Sequence, residues 1–200
     1  MAAYKQSCQS GKRAKKPLNP AQLRDLALSY VARYATSAAK LERYLKRKLR
    51  ERGWEDEGNP PDVAALVERY SELGYVDDTG FARSKSASLL RRGYGARRVG
   101  QVLGQDGISP EIRDEVAASE AELRHAALAM AKKRRFGPFA VQAGDSDDAE
   151  KAKRREKQFA AMLRAGHSLD FAREIVDAAS VDAAEEWAHE LDGEEGHDGW

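Results

Sequence analysis

Short amphipathic helical segments that end at a glycine and restart at a capping residue recur three times along the chain. In each copy, four positions around the end of the second helix correspond. Two residues of the helix lie four positions apart, a glycine follows four positions later, and the residue directly after the glycine is the fourth. These positions are Leu45, Leu49, Gly53 and Trp54 in the first copy, Val99, Leu103, Gly107 and Ile108 in the second, and Gln158, Met162, Gly166 and His167 in the third. Three short helices bury little apolar surface alone, so stacking of units must supply much of the stability. We predict an all-α fold of three tandem three-helix repeats that form an elongated, curved stack.

Capping residues and glycines mark the ends of the predicted helices. Asn19 is suited to cap the first helix, with Pro20 at its first position. A second helix is expected to begin near Ser37 and a third around Asp62. Gly74 should end the third helix in the left-handed conformation, which only glycine adopts without cost. The later predicted caps are Asp77 or Asp78, Ser109 and Ser168, and the later stops are Gly93, Gly107, Gly137 with Pro138, and Gly166.

These boundaries divide the chain into five predicted parts. The parts are residues 1–18 as a disordered basic arm, 19–75 as repeat 1, 76–119 as repeat 2, 120–179 as repeat 3 with an extended polar loop at 142–148, and 180–200 as an acidic tail. We expect the tail to fold back, as a short helix through Trp187, and to screen basic charge.

Several aromatic and aliphatic residues beside the glycine turns are expected to pack in the core. Tyr34 and Leu73 continue the apolar stripes of the first and third helices. Trp54, Tyr75 and Phe81 are also interpreted as core residues, and stacking on nucleic-acid bases is the alternative for these three.

Composition excludes several classes of protein. Aromatic residues make up 8% of the chain and runs of β-branched residues are nearly absent, which argues against a sheet-rich fold. No apolar run reaches the ~20 residues of a membrane span, and the amino-terminal stretch has no apolar core of a secretory signal. Cys8 is the single cysteine, so we expect a protein of a reducing compartment, the cytoplasm.

No catalytic or cofactor-binding pattern stands out. The four histidines show no metal-ligand spacing, and His125 and His167 are interpreted as isolated. Asp77 and Asp78 resemble a catalytic carboxylate pair, but adjacent acids at a helix start more often cap it. We therefore predict no enzyme activity, no cofactor and no metal.

Basic charge is concentrated in the body of the chain. Eight of the 33 acidic residues follow Val181, which leaves 25 acidic against 34 basic residues in residues 1–181. Such a body suits an anionic partner. The alternative is a set of solvated helix faces, some favoured at helix C-termini by the macrodipole. The candidate binding residues are Arg47, Lys48, Arg91, Arg92, Arg97, Arg98, Lys132, Lys133, Arg134 and Arg135.

The string from Gly74 to Ala82 is the most specific one in the chain. Its Gly-Tyr-Val-Asp-Asp-Thr-Gly-Phe-Ala resembles a junction of the RecX family of recombinase regulators. Gly93 to Arg98 resembles the start of that family's next helix, and Gly107-Ile108-Ser109 resembles its following turn. The similarity runs in order from about residue 26 to residue 178. Gly104, inside a helix, and the acidic tail depart from the family pattern.

The resemblance implies a function in homologous recombination, DNA repair and the SOS response. Members of the family bind the recombinase RecA, lodge in the helical groove of its DNA filament and usually inhibit it. The expected partners are therefore a RecA-type filament and single-stranded DNA, bound by a monomer without covalent chemistry. The alternative is a sequence-nonspecific nucleic-acid-binding helical repeat protein without a recombinase partner.

Overall fold

The computed structural model describes residues 16–56, 58–140 and 147–193, and within these ranges all regular elements are helices. The expected all-α fold is confirmed. The α-helices are α1 (Pro20–Val31), α2 (Ala38–Arg52), α3 (Val63–Glu72), α4 (Asp78–Arg91), α5 (Ala96–Gln105), α6 (Pro110–Glu115), α7 (Glu120–Arg134), α8 (Asp148–Arg164), α9 (Leu169–Val176) and α10 (Val181–His189), with a 3-10 turn at Gly137–Phe139. The predicted basic arm up to residue 15 and most of the polar loop at 142–148 lie outside the described residues.

Most of the described α-helices begin where a side chain satisfies one of their first amide groups. Asn19 caps α1 by accepting from the Gln22 amide, and Ser168 caps α9 in the same way, both as predicted. Asp77 caps α4 through the Gly80 amide at 2.8 Å. Asp78 has a different partner, because its Oδ1 accepts from the Ala38 amide at 2.8 Å. Both carboxylates of the pair are thus capping groups.

The chain forms two compact bodies. The N-terminal body contains residues 16–35 and 40–76. Its core is formed by side chains of α1, α2 and α3 and of the residues that flank them, namely Leu18, Leu23, Ala27, Leu41, Leu45, Val63, Val67, Tyr70 and Val76. Leu18, the last residue of the predicted arm, is fully buried, and its amide donates to the Gly53 carbonyl at 3.0 Å.

The C-terminal body contains residues 36–39 and 77–193. Its core has two clusters. One joins α4, α5 and Ile108, and the other joins α8, α9 and α10. Helix α7 takes part in both, because Ala126 lies in the first cluster and Ala127 in the second. Both alanines are almost fully buried, so α7 is the central helix of this body.

Helix α10 begins in the predicted acidic tail and packs as part of this core. Its Ala184 and Ala188 are fully buried, and the Trp187 ring packs edge-on against Phe171 at 5.3 Å. Helix formation through Trp187, as the sequence predicted, is observed. Asp182 and Glu186 of this helix are exposed, whereas Glu185 is half-buried and pairs with Lys132 of α7.

Three aromatic and aliphatic residues predicted for the core are exposed. The exposed fraction is 57% for Tyr34, 56% for Leu73 and 53% for Tyr75. Each lies beyond the last helical residue of α1 or α3, where the helical period that placed it on the apolar face no longer applies. For these residues the core prediction is wrong. Phe81 packs against the α4–α5 cluster as predicted, and Trp54 is half-buried.

A close junction joins α5 to the end of α8 inside the C-terminal body. The Gly95 amide donates to the Ala165 carbonyl at 3.0 Å, and the Arg97 amide donates to the Gly166 carbonyl at 3.2 Å. A Cβ atom built on Gly95 would lie 2.5 Å from the Gly166 backbone. Only a residue without a side chain permits this close approach, so Gly95 is required for the contact with the backbone of Gly166.

Candidate nucleic-acid interface

Two arginines occupy the first turn of α5, where a positive charge is electrostatically unfavourable. Arg97 and Arg98 follow the capping Gly95, which offers no side-chain oxygen to the helix amides. Every other α-helix that lies wholly in the described part of the C-terminal body has at least one acidic residue in its first turn. A cation at a helix N-terminus costs about 0.3–1 kcal/mol, whereas an anion there is stabilised by a similar amount. The macrodipole therefore does not explain these arginines, and an anionic ligand would.

The two arginines line a surface cavity together with a third. Arg97, Arg98, Gln101, Arg164 and Gly166 surround a volume of about 500 Å³. Arg164 is the last residue of α8, so the cavity lies where the C-terminal end of α8 meets the N-terminal end of α5. Within the described ranges no carboxylate lies within 4.0 Å of these three guanidinium groups. With respect to the described residues, the positive charge of this cavity is therefore uncompensated.

The arginines of this cavity differ in how they are held. The Arg97 guanidinium donates to the Leu163 carbonyl at the end of α8. The Arg98 Nη1 donates to the Gln101 Oε1 at 2.7 Å, one turn along the same helix. Arg97 therefore has a structural contact at the junction, and Arg98 and Arg164 have more of their hydrogen-bonding capacity available for a ligand.

The turn between α4 and α5 carries the other two predicted arginines of this region. Arg91 ends α4 and Arg92 follows it, and both are exposed. The Arg92 guanidinium lies 5.5 Å from the centre of the Tyr94 ring, a distance typical of a cation–π contact. Gly93, with φ +84°, supplies the left-handed residue of the turn, and a Cβ there would lie 2.9 Å from Met130.

A buried histidine supports this turn from beneath. The Nε2 of His167 lies 3.0 Å from the Gly93 carbonyl oxygen, which can only accept, so Nε2 carries the proton. Its Nδ1 is buried and has no hydrogen-bond partner among the described residues. Burial lowers the pKa of His167 from its ordinary value, and the bond to Gly93 opposes this only in part. The imidazole is therefore neutral near pH 7. The prediction that it is isolated is wrong.

The predicted residues on α2 have local partners. Arg47 and Lys48 both pair with Glu51, at 3.6 Å and 2.8 Å. Both also lie within 6 Å of the centre of the Tyr44 ring. Their charge is thus partly compensated within the helix.

The predicted residues at the end of α7 form an exposed basic cluster. Lys132 pairs with Glu185 of α10 at 2.7 Å, so the acidic helix compensates one of the four charges. For Lys133, Arg134 and Arg135 the structure shows no acidic partner within the described residues. Arg135 adopts a left-handed backbone with φ 57°, which costs a residue other than glycine about 1–2 kcal/mol.

The sequence did not identify Arg164 as a binding residue. Arg164 has no basic residue next to it in the sequence. It lies two residues before the repeat glycine Gly166, and the residues at the same position of the other two repeats are Glu51 and Gln105. Only the packing of α8 against α5 brings it to Arg97 and Arg98. Arg154 and Arg155 line a separate cavity of about 330 Å³, where Arg155 makes a two-bond contact of 2.5 Å with Asp177.

The structure also groups residues that the sequence treated as isolated. His125 Nε2 lies 2.6 Å from Asp192 Oδ1, and His189 Nδ1 lies 2.8 Å from Asp192 Oδ2. These hydrogen bonds hold the pKa of Asp192 below its ordinary value. His125 is therefore not isolated, because residues 64 and 67 positions away in the sequence contact it.

The fold and the site define a protein that is all-helical in its described residues, with a cavity lined by three arginines where α5 meets the end of α8. Among the described helices, none has both the length and the apolarity to cross a bilayer.

Comparisons with known proteins agree with this class. A family model described as "RecX, second three-helix domain" matches residues 77–116, which lie within predicted repeat 2. The chain is 30% identical over 178 residues to a Regulatory protein RecX from Myxococcus xanthus, covering 84% of this chain and 91% of the relative. It is 34% identical over 161 residues to one from Halorhodospira halophila, covering 80% and 89%.

A solved structure has the same fold. The crystal structure of RecX from Lactobacillus salivarius superposes with a TM-score of 0.60 at 14% identity, covering 81% of this chain and 96% of that one. With the identity and coverage of the curated relatives, the protein belongs to the RecX family.

Proposed function

We propose that the protein binds a RecA-type recombinase filament on DNA and inhibits its strand-exchange activity without catalysing a reaction. The observation that carries the proposal is the arginine pair in the first turn of α5, beside Arg164, with no acidic partner for any of the three within the described residues. A helix N-terminus with two arginines is suited to a phosphate or a carboxylate. Both anions occur on a protein filament that coats DNA.

The mode of inhibition follows from electrostatics and steric exclusion. Guanidinium groups form paired hydrogen bonds with phosphates and carboxylates, so the same surface can contact DNA and protein. A helical body bound in the groove of the filament blocks strand exchange by occupying space. Arg91 and Arg92 on the adjoining turn belong to the proposed surface. Arg47 and Lys48 on α2 and the α7 cluster Lys132–Arg135 remain proposed contacts. We propose that the protein acts as a monomer in the cytoplasm.

Charge reversal of the cavity tests the proposal. Arg98→Glu with Arg164→Glu should weaken filament binding and inhibition of strand exchange, and circular dichroism should show unchanged helical content. These positions are preferable to Arg97, whose guanidinium also holds the end of α8. The matched control is Arg69→Glu with Arg173→Glu, which changes the net charge equally at exposed helix positions outside the basic clusters. Equal losses in both double variants would contradict the proposal, because a nonspecific charge effect would then explain binding.

A titration at fixed salt distinguishes the proposal from nonspecific nucleic-acid binding. We expect recombinase filaments to be bound at least tenfold more tightly than free single-stranded DNA, a difference of about 1.4 kcal/mol. Equal affinity for the two would favour a nucleic-acid-binding protein without a recombinase partner.

A further inference from the structure

Three potential metal ligands from two separate segments meet on the surface of the C-terminal body. His125 lies in α7, His189 is the last residue of α10, and Asp192 lies in the turn that follows α10. The carboxylate of Asp192 bonds to one nitrogen of each imidazole, at 2.6 Å and 2.8 Å. Their ligand atoms all lie within 4.8 Å of one another.

We propose that His125, His189 and Asp192 bind one divalent cation of the zinc type. Two imidazole nitrogens and one carboxylate oxygen form a donor set that Zn²⁺, and by the same chemistry Ni²⁺ or Co²⁺, favours over the hard ions Mg²⁺ and Ca²⁺. Ligand atoms around tetrahedral zinc lie about 3.4 Å apart, given metal–ligand distances of about 2.0–2.1 Å. To reach this spacing, the two hydrogen-bonded contacts of 2.6 Å and 2.8 Å would have to lengthen by about 0.6–0.8 Å.

The surroundings leave room for an ion and for a fourth ligand. The three side chains are between 38% and 54% exposed, so an ion reaches them directly from solvent. They lie at the edge of a cavity of about 680 Å³, in which a water molecule can complete the coordination. Arg91 and Lys132 line the same cavity, and the Lys132 charge is compensated by Glu185 at 2.7 Å.

Binding of an ion has a structural consequence. His125 belongs to α7, whereas the other two ligands lie at the end of α10, so the ion joins these two helices. Anything that binds the folded state but not the unfolded state raises stability. Zinc should therefore raise the melting temperature of the protein by fixing the C-terminal end of α10 on α7.

Isothermal titration with ZnCl₂ and thermal melting test the site. The full chain is used with Cys8→Ser, which removes the thiol as a competing ligand. We expect one ion per chain, a rise in melting temperature, and no heat of binding from MgCl₂. Asp192→Asn and His125→Gln should each weaken zinc binding at least tenfold and remove the rise.

The controls are Asp170→Asn, an exposed carboxylate on α9, and His197→Gln, outside the described residues; both should bind zinc like the parent chain. Absence of zinc binding by the parent chain would overturn the proposal, as would equal affinity in Asp192→Asn. Loss of binding in His197→Gln would overturn the assigned ligand set.

Discussion

Gly95→Ala and Gly100→Ala place the same methyl group at the N-cap of α5 and in its interior, and should change stability in opposite directions. At Gly95 the backbone, with φ −84° and ψ 171°, is open to any residue, so the change has no conformational cost. The added Cβ, however, would lie 2.5 Å from the carbonyl group of Gly166, a distance that real Cβ atoms essentially never show. The end of α8 must therefore move away from α5.

The magnitude follows from the contacts at the junction. Overpacking in a closely packed region costs about 1–3 kcal/mol. The Gly95–Ala165 and Arg97–Gly166 hydrogen bonds are also weakened, each worth about 0.5–1.5 kcal/mol. Replacing glycine lowers the entropy of the unfolded chain and returns about 0.4–1 kcal/mol. We expect the free energy of unfolding of Gly95→Ala to be lower by about 1–4 kcal/mol.

Gly100 is the matched control. It lies inside α5, and a Cβ there meets no heavy atom within 4 Å. Alanine is favoured over glycine in a helix interior, so Gly100→Ala should raise the free energy of unfolding by about 0.5–1 kcal/mol. Urea unfolding followed by circular dichroism measures both variants. The reasoning is refuted if Gly95→Ala is as stable as Gly100→Ala.

Three further predictions concern pH, backbone conformation and the acidic helix. Because folding lowers the pKa of His167, the unfolded chain takes up a proton before the folded chain does as the pH is lowered below about 6.5, and the free energy of unfolding should therefore decrease as the pH decreases. His167→Ile should flatten this dependence in denaturant titrations. Gly74→Val, at φ +73°, should lower stability by about 1–3 kcal/mol in urea unfolding and leave filament binding intact, and a variant that melts normally without binding would contradict this. Truncation after Val181 should lower the melting temperature because it removes α10 from the core. Glu185→Gln should leave the melting temperature unchanged and raise DNA affinity at low salt, because Lys132 loses its acidic partner. An unchanged DNA affinity of Glu185→Gln would exclude screening by this pair.

Local signals in the sequence predicted the helices and most of their ends. Glycine stops and capping side chains act within about four residues, so Asn19, Ser109 and Ser168 could be assigned from the sequence alone. The repeat pattern likewise predicted the all-helical class. At Gly53, Gly107 and Gly166, the repeat glycines, the backbone has a positive φ.

Features that depend on contacts between distant residues could not be predicted in this way. Asp78 bonds to an amide 40 residues earlier in the chain, and His125 contacts Asp192 67 residues later. Helical periodicity assigned Leu73 to the core, although α3 ends at Glu72 and Leu73 is exposed. The period alone does not show where a helix ends or which of its faces packs against another helix. Arg164 was missed for the same reason, since its relation to α5 exists only after α8 has packed.

Binding of an anion in the proposed cavity should stabilise the junction between α5 and α8. Arg98 approaches the cavity from the first turn of α5 and Arg164 approaches it from the last turn of α8, so an anion bound between them contacts both helices. Such an anion strengthens the same junction that the Gly95–Ala165 hydrogen bond holds. A ligand at 100 times its dissociation constant adds about 2.7 kcal/mol to the folded state. By the same linkage, Gly95→Ala opens the junction and separates the two arginines, so it should weaken anion binding although it removes no charged group.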